Sequence, residues 1–365
     1  MTASAIRSVR TRPDLADLPL YEADRTPALV DLSDNTNRWG MPPSASRVLR
    51  EAAGSTFTRY PEPYADSLKD ALARHCGVDV DNIVTGCGSD DVLDSAIRAF
   101  ASPPPAARVA TCDPSFVIIP ALARLNGAQC IRIPLSSDFD IDADAIRQSG
   151  ASVVYLCSPN NPTGTEIPPE TIARIADSVD ALVIVDEAYA EFTDHSCIAL
   201  ARARPNVLVT RTMSKAFGLA GLRVGYAVGA PEIVREIEKS RGPYKVNVAA
   251  ALASQAALRD DLAWMRLHVR LAREARGTLA MQLSVRGIAV LPSAANFVCA
   301  PIPAAVPIAR RMRGLGVAVR AFGGLPPFCE PLRASGGDAL RITVGPAEEM
   351  EAALEALDGA RAECA

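Results

Sequence analysis

Along the middle of the chain, short apolar and β-branched runs alternate with stretches whose apolar positions recur every three or four residues. The runs are Asn82–Thr85, Arg108–Thr111, Gln129–Ile133, Ser152–Leu156, Leu182–Asp186, Asn206–Arg211 and Val224–Val228. Helical periodicity marks Ala65–His75, Asp90–Phe100 and Pro169–Asp177. This alternation predicts an α/β fold with a mainly parallel, seven-stranded sheet between layers of helices. Several runs are continuously apolar, as strands covered on both faces should be.

Beyond about residue 230 the pattern changes. It predicts a helix at Pro231–Arg241 and a long helical region at Ala249–Val285. Short strands follow near Ile288–Leu291, Asn296–Ala300, Val317–Arg320 and Leu340–Val344, then a last helix from Ala347 to Ala360. The expected organisation is a large domain over residues 41–250 and a smaller α+β domain from 1–40 and 251–365. Pro103–Pro105 reads as a surface turn, and the chain has no internal repeat.

Composition narrows the possible functions. Of 365 residues 49% are hydrophobic, enough for a large core. A net charge of −4 disfavours binding to a nucleic-acid backbone. No apolar run approaches the roughly 20 residues of a membrane span. Met1–Leu20 carries Arg7, Arg10 and Arg12 without a continuous apolar segment, which argues against a secretory leader. A soluble, cytoplasmic protein is expected. The nine cysteines are scattered with no CxxC, and the three histidines form no HExxH, so no metal centre is expected. There are only four lysines: Lys69, Lys215, Lys239 and Lys245. Chemistry that needs a lysine has few places to go.

Ligands of open α/β sheets bind beyond the carboxyl ends of the strands. Three such ends are polar here. One strand runs into Cys157-Ser158-Pro159-Asn160-Asn161-Pro162-Thr163-Gly164, a second ends at Asp186 before Tyr189, and a third runs into Thr212-Met213-Ser214-Lys215. Each alone reads as an ordinary turn. Together they offer an amide, a carboxylate, a phenol, a lysine, hydroxyls and, slightly downstream, Arg223. A carboxylate ending a buried strand needs a cationic partner. A desolvated lysine beside a cation can act as a nucleophile, and hydroxyls with an arginine suit a phosphate. These are the requirements of pyridoxal 5′-phosphate.

Three motifs resemble fold-type I pyridoxal-phosphate-dependent aminotransferases, more narrowly the histidinol-phosphate aminotransferase-like branch. They are Ser158-Pro159-Asn160-Asn161-Pro162-Thr163-Gly164, Val185-Asp186-Glu187-Ala188-Tyr189, and the Ser214–Gly225 stretch SKAFGLAGLRVG. Further matches in the family's order are Arg59-Tyr60-Pro61, Gly86-Cys87-Gly88-Ser89-Asp90, Pro243-Tyr244-Lys245-Val246-Asn247, Asn296-Phe297-Val298 and Leu340-Arg341-Ile342-Thr343-Val344-Gly345.

The resemblance implies a role for each matched residue. Lys215 would hold the coenzyme covalently and shuttle a proton. Asp186 would pair with the pyridine nitrogen, and Asn161 and Tyr189 would hydrogen-bond the ring oxygen. Ser89, Asp90 (through its N–H), Thr212, Ser214 and Arg223 would hold the phosphate, although Ser89-Asp90 also reads as a simple N-cap pair. Phe116 would stack on the ring or else belong to the core. Tyr60 would reach the phosphate of a neighbouring subunit, which implies a homodimer. Arg341 would grip the substrate α-carboxylate, with Asn161 beside it, and Arg320 would lie near the substrate's distal end.

Where many relatives carry Asn-Glu-Asn-Pro, this chain has Asn35-Thr36-Asn37-Arg38, followed by Trp39, another expected substrate contact. Ala321 replaces the usual acid after Arg320. The expected activity is amino-group transfer between an L-amino acid and a 2-oxo acid, with an unusual amino acid of a specialised pathway as the anticipated substrate. The alternatives are histidinol-phosphate aminotransferase proper and a decarboxylase on the same scaffold. A ligand-sensing regulator would need a DNA-binding module for which the segment before residue 40 is too short. A nicotinamide dehydrogenase would need the absent GxGxxG.

Overall fold

The computed structural model describes residues 12–20, 24, 26–103 and 106–362. Part of Met1–Leu20, including Arg7 and Arg10, most of the Pro103–Pro105 turn, and Cys364 lie outside the described residues.

Eleven strands are present among the described residues, in two sheets: β1 (Val30–Leu32), β2 (Ile83–Cys87), β3 (Arg108–Asp113), β4 (Gln129–Pro134), β5 (Val153–Cys157), β6 (Leu182–Asp186), β7 (Val207–Thr212), β8 (Val224–Val228), β9 (Phe297–Pro301), β10 (Val317–Phe322) and β11 (Ala339–Thr343). The large sheet has seven strands in the order β2-β8-β7-β6-β5-β3-β4. All of its pairings are parallel except those of β8, which runs antiparallel to both β2 and β7. All seven predicted strands are there, within two or so residues of the expected ends.

Helices cover both faces of this sheet, and the alternation within each strand shows it. Val153, Tyr155 and Cys157 of β5 join the apolar cluster that includes Leu93 and Ile97 of the Ser89–Phe100 helix. Val154 and Leu156 join the opposite cluster, with Ile172 and Ile175 of the Pro169–Ser178 helix. β6 splits the same way, Leu182 and Ile184 to one side and Val183 and Val185 to the other. Period-two alternation therefore fixes the direction in which each strand-end residue points.

The second sheet has the order β1-β10-β11-β9. One expectation, the strand at Ile288–Leu291, needs correction here, and two features carried no forewarning in the sequence. Val30–Leu32 was too short a run to announce a strand, yet it pairs in parallel with Val317–Val319. Ile288–Leu291 is not a strand: Leu291 alone donates to the Cys299 carbonyl, with Gly287 turning the chain before it and Pro292 lacking an N–H after it. The region Ala249–Val285 is two helices, Val248–Asp260 and Leu262–Val285. Asp261 leaves helical geometry between them, and its carboxylate accepts the N–H of Ser44 at 2.8 Å, at the start of the Pro43–Glu51 helix. One acid thus ends one helix and caps another.

Candidate active site

The carboxyl ends of β5, β6 and β7 open into a pocket of about 700 Å³, closed on its far side by β10 and β11. It brings together Asn161, Asp186, Tyr189, Lys215, Arg223 and Arg341, and also Ser89, Asp90, Phe116, Thr212, Ser214 and Arg320.

Asp186 closes β6 and is 2% exposed. Register explains its surroundings. Thr210 of β7 is its direct parallel partner and donates to Oδ1 at 3.1 Å. Cys157 is its partner on β5, so Tyr155, two residues earlier on the same face, donates to Oδ2 at 2.7 Å. No ion pair to Asp186 is present among the described residues. Burial therefore dominates and pushes its carboxyl up to about 6, against the lowering effect of the two hydroxyls. A buried carboxylate with no cation calls for one from a ligand.

Lys215 follows β7. Its Nζ donates to the Asp34 carbonyl at 2.9 Å and lies 5.9 Å from the Tyr189 ring centroid. Burial, with Arg341 nearby, lowers its ammonium to about 8. The other lysines are all committed to acids: Lys69 to Glu238 at 3.3 Å, Lys239 to Glu236 at 2.5 Å and Lys245 to Asp91 at 3.0 Å. Tyr189 is buried edge-on against Phe297, and its hydroxyl accepts Asn35 Nδ2 at 2.9 Å. Burial raises its phenol above the ordinary value.

At the opposite end of the pocket the Ser89–Phe100 helix begins with no side-chain cap, which leaves backbone N–H groups for an anion. The helix start is pressed onto β8, because a Cβ on Gly225 would lie 2.1 Å from the Ser89 nitrogen. Gly88 has φ +81°, and a Cβ there would lie 2.4 Å from Arg223 Nη2. Arg223, itself left-handed at φ 56°, meets Asp90 at 3.4 Å. Thr212 Oγ1 donates to Ser214 Oγ at 2.9 Å beside this corner.

Arg341 lies on β11 directly across from Arg320 on β10. Its Nη1 donates to Asn161 Oδ1 at 2.7 Å and its Nη2 to the Ser33 carbonyl at 2.5 Å, while its buried Nε has no partner. Two arginines facing each other across a strand pair repel unless an anion sits between them. Burial lowers the Arg341 pKa, so its charge is already costly there.

Two expected contacts lie outside the pocket lining. Trp39 packs against His268 with ring centroids 6.1 Å apart, and its backbone N–H donates to Asn37 Oδ1. Tyr60 is 85% exposed, with its ring against Tyr244 at 5.0 Å. Of the altered entrance residues, Thr36 lines the pocket, whereas Arg38 turns away to a two-point pair with Glu349 at 2.9 and 2.7 Å. Phe116 both lines the pocket and packs on the core. Sequence reasoning missed Tyr155 and Thr210, and noted Asn35 only as part of an altered motif. Strand register could have found the first two. The contacts of Asn35, to Tyr189 and Thr343, span 154 and 308 residues, and no local pattern announces them.

Comparison with known proteins follows the same lines. The family model for aminotransferase class I and II matches residues 27–357. The chain is 34% identical to a histidinol-phosphate aminotransferase of Roseiflexus castenholzii, over 95% of this chain and 96% of that protein. It is 35% identical to an aromatic amino acid aminotransferase of Nocardia farcinica, over 94% and 95%. The crystal structure of histidinol-phosphate aminotransferase from Sinorhizobium meliloti in complex with pyridoxal 5′-phosphate superposes with a TM-score of 0.87 at 27% identity, covering 98% of both chains.

Proposed function

The chain belongs to the class I and II aminotransferases, and from that premise we propose that its pocket moves an amino group between an L-amino acid and a 2-oxo acid, using pyridoxal 5′-phosphate held by Lys215 and Asp186. The observation that carries the reading is a buried carboxylate without a cation, Asp186, in one pocket with a lysine whose ammonium is lowered to about 8. The coenzyme, when bound, supplies an electron sink for charge developing at the substrate Cα.

The residues divide the remaining work. Asp186, kept ionised by Tyr155 and Thr210, holds a proton on the ring nitrogen. Asn161 and Tyr189 orient the ring through its oxygen, and Phe116 covers its face. Ser89, Thr212, Ser214, Arg223 and the N–H groups at the start of the Ser89–Phe100 helix take the phosphate. Lys215, neutral in part near pH 8, takes the Cα proton and returns it. Arg341 takes the α-carboxylate, which satisfies its unpartnered Nε. In this reading residues 41–250 bind the coenzyme, and 1–40 with 251–365 close over the substrate. The enzyme works in the cytoplasm as a homodimer, with Tyr60 turned toward the other subunit's site.

The test is a half-reaction screen. Purified holoenzyme is mixed with single amino acids, including aromatic ones and histidinol phosphate, while the coenzyme absorbance is followed and the oxo product is identified. Loss of the absorbance with stoichiometric oxo acid is expected for at least one donor. Release of carbon dioxide in place of oxo acid would make the enzyme a decarboxylase.

A further inference from the structure

Ser33, Asp34 and Asn35 all line the pocket, and each of their carbonyls is held by a different side chain. Arg341 Nη2 donates to Ser33 at 2.5 Å, Lys215 Nζ to Asp34 at 2.9 Å and Asn296 Nδ2 to Asn35 at 3.0 Å. Asn35 is 1% exposed and left-handed at φ 59°, a conformation that asparagine tolerates better than most residues. A backbone held on three sides fixes where the Asn35 side chain points.

That side chain bridges two hydroxyls. Its Nδ2 donates to Tyr189 Oη at 2.9 Å, and its Oδ1 accepts from Thr343 Oγ1 at 3.1 Å. Thr343 settles which end of the amide faces Tyr189. Its hydroxyl is fully buried and already accepts the Asn35 backbone N–H at 3.0 Å, so its own proton needs an acceptor. Asn35 Oδ1 is that acceptor, which turns the NH2 group to Tyr189. An amide nitrogen only donates, so Tyr189 accepts there and its own hydroxyl proton points elsewhere. Among the described residues no acceptor takes that proton. The titratable groups around Tyr189 are Arg341 on β11, Lys215 after β7, Asp186 on β6 and Cys157 on β5. Both Asp186 oxygens are already taken by Tyr155 and Thr210. The proton is therefore available to a ligand oxygen, and accepting one hydrogen bond strengthens the one the hydroxyl donates.

We propose that Asn35 is a positioning residue of the coenzyme site: its amide, oriented by Thr343, aims the Tyr189 hydroxyl proton at the ring oxygen of pyridoxal 5′-phosphate. The inference rests on the coenzyme placement given above and adds a residue that acts through Tyr189. A ring oxygen relieved of charge by a stronger donor holds the proton on the coenzyme's linkage to Lys215 less tightly. That proton then leaves at lower pH.

The coenzyme absorbance of the holoenzyme reports this proton, and is recorded from about pH 5 to pH 10. The proteins are wild type, Asn35→Gly, Thr343→Val, Tyr189→Phe, and each of the first two variants combined with Tyr189→Phe. Glycine accepts the left-handed backbone, so Asn35→Gly removes the amide without strain. Thr343→Val removes the orienting hydroxyl and keeps a branched side chain. The absorbance midpoint should rise by about 0.5–1 pH unit in Asn35→Gly, the equivalent of one neutral hydrogen bond. It should rise by less in Thr343→Val. In the Tyr189→Phe background neither substitution should add a further rise, because the hydroxyl through which they act is gone. An unmoved or lowered midpoint in the single variants overturns the proposal. So does a rise of equal size with and without the Tyr189 hydroxyl, which is what a merely structural role would give. If Asn35→Gly does not fold, Thr343→Val in the two backgrounds makes the same comparison. A wild type that carries no coenzyme on Lys215 rejects the coenzyme placement and this proposal with it. A wild type that titrates while the single variants match it rejects the role of Asn35 alone.

Discussion

The hydroxyl of Tyr155 donates to Asp186 Oδ2 across 2.7 Å, from a side chain with no solvent exposure. Tyr155 stands two residues before Cys157, the register partner of Asp186, so the strand pairing itself delivers the donor. With Thr210 on the other oxygen, this hydroxyl opposes the desolvation that would neutralise the carboxylate. Tyr155→Phe should therefore retain the fold and weaken the coenzyme. Hydrogen bonds to charged groups contribute about 1.5–3 kcal/mol, so the dissociation constant of pyridoxal 5′-phosphate should rise by roughly tenfold or more. Equilibrium dialysis of the variant against wild type measures it, and an unchanged constant would show that the hydroxyl does not support Asp186.

The same pair marks what could be read from the chain alone. The seven strands of the large sheet were legible because burial on both faces forces continuous apolar runs, and the pocket followed because polar clusters end β5, β6 and β7. Asp186 and Lys215 stood out as polar residues where a buried strand stops. Tyr155 did not, because in sequence it is one more large residue inside an apolar run. Val30–Leu32 was hidden for a different reason: three residues carry no period, and only the pairing with β10 makes them a strand. The division at Asp261 was hidden because its carboxylate contact is to Ser44, 217 residues away in the chain, and no local pattern announces it. Arg38 looked like an entrance residue until Glu349 claimed it.

Asp186 also gives the coenzyme-free protein a pH signature. Its carboxyl is raised to about 6 in the folded chain, against about 3.9 when unfolded. Between those values the folded chain keeps a proton that the unfolded chain has released. Stability therefore falls as pH rises through this window, by about 3 kcal/mol for a shift of about two units, and stays lower above it. Asp186→Asn has no such titration. Without coenzyme, the stability of the variant relative to wild type should increase from pH 4 to pH 8 by about that amount, read by urea denaturation at each pH. The same variant should bind the coenzyme far more weakly. A relative stability that is constant across pH would show that the carboxylate is not held in the costly charged form.

Lys215 should be the residue that captures the coenzyme. Borohydride treatment of holoenzyme followed by peptide mapping should place the pyridoxyl group on Lys215, and Lys215→Ala should take up none. The other three lysines are paired with Glu238, Glu236 and Asp91, and a label on any of them would sink the assignment. Because the neutral amine is the nucleophile and burial lowers the ammonium to about 8, the capture rate should climb with pH through about 8 and level off above it. A rate still climbing toward pH 10 would mean an unperturbed lysine.

Tyr60 decides whether each site is built from two chains. Its side chain is 85% exposed, rests on Tyr244 and is absent from its own chain's pocket. An exposed aromatic pair is a natural contact for a second copy in a closed two-fold dimer, where one patch serves both subunits. In that arrangement the Tyr60 phenol donates to the partner site's phosphate, and Tyr60→Phe should loosen the coenzyme by about 1.5–3 kcal/mol without unfolding the chain. Complementation is the sharper measurement. Lys215→Ala homodimers are mixed with Tyr60→Ala homodimers and allowed to exchange subunits. If Tyr60 acts across the interface, every heterodimer has one site carrying both defects and one site that is wild type, so activity rises as exchange proceeds. If Tyr60 acts within its own chain, each heterodimer has one site lacking Lys215 and one lacking Tyr60, and no rise occurs. Sedimentation at the assay concentration must also give a dimer, because a monomer would leave Tyr60 with no phosphate to reach.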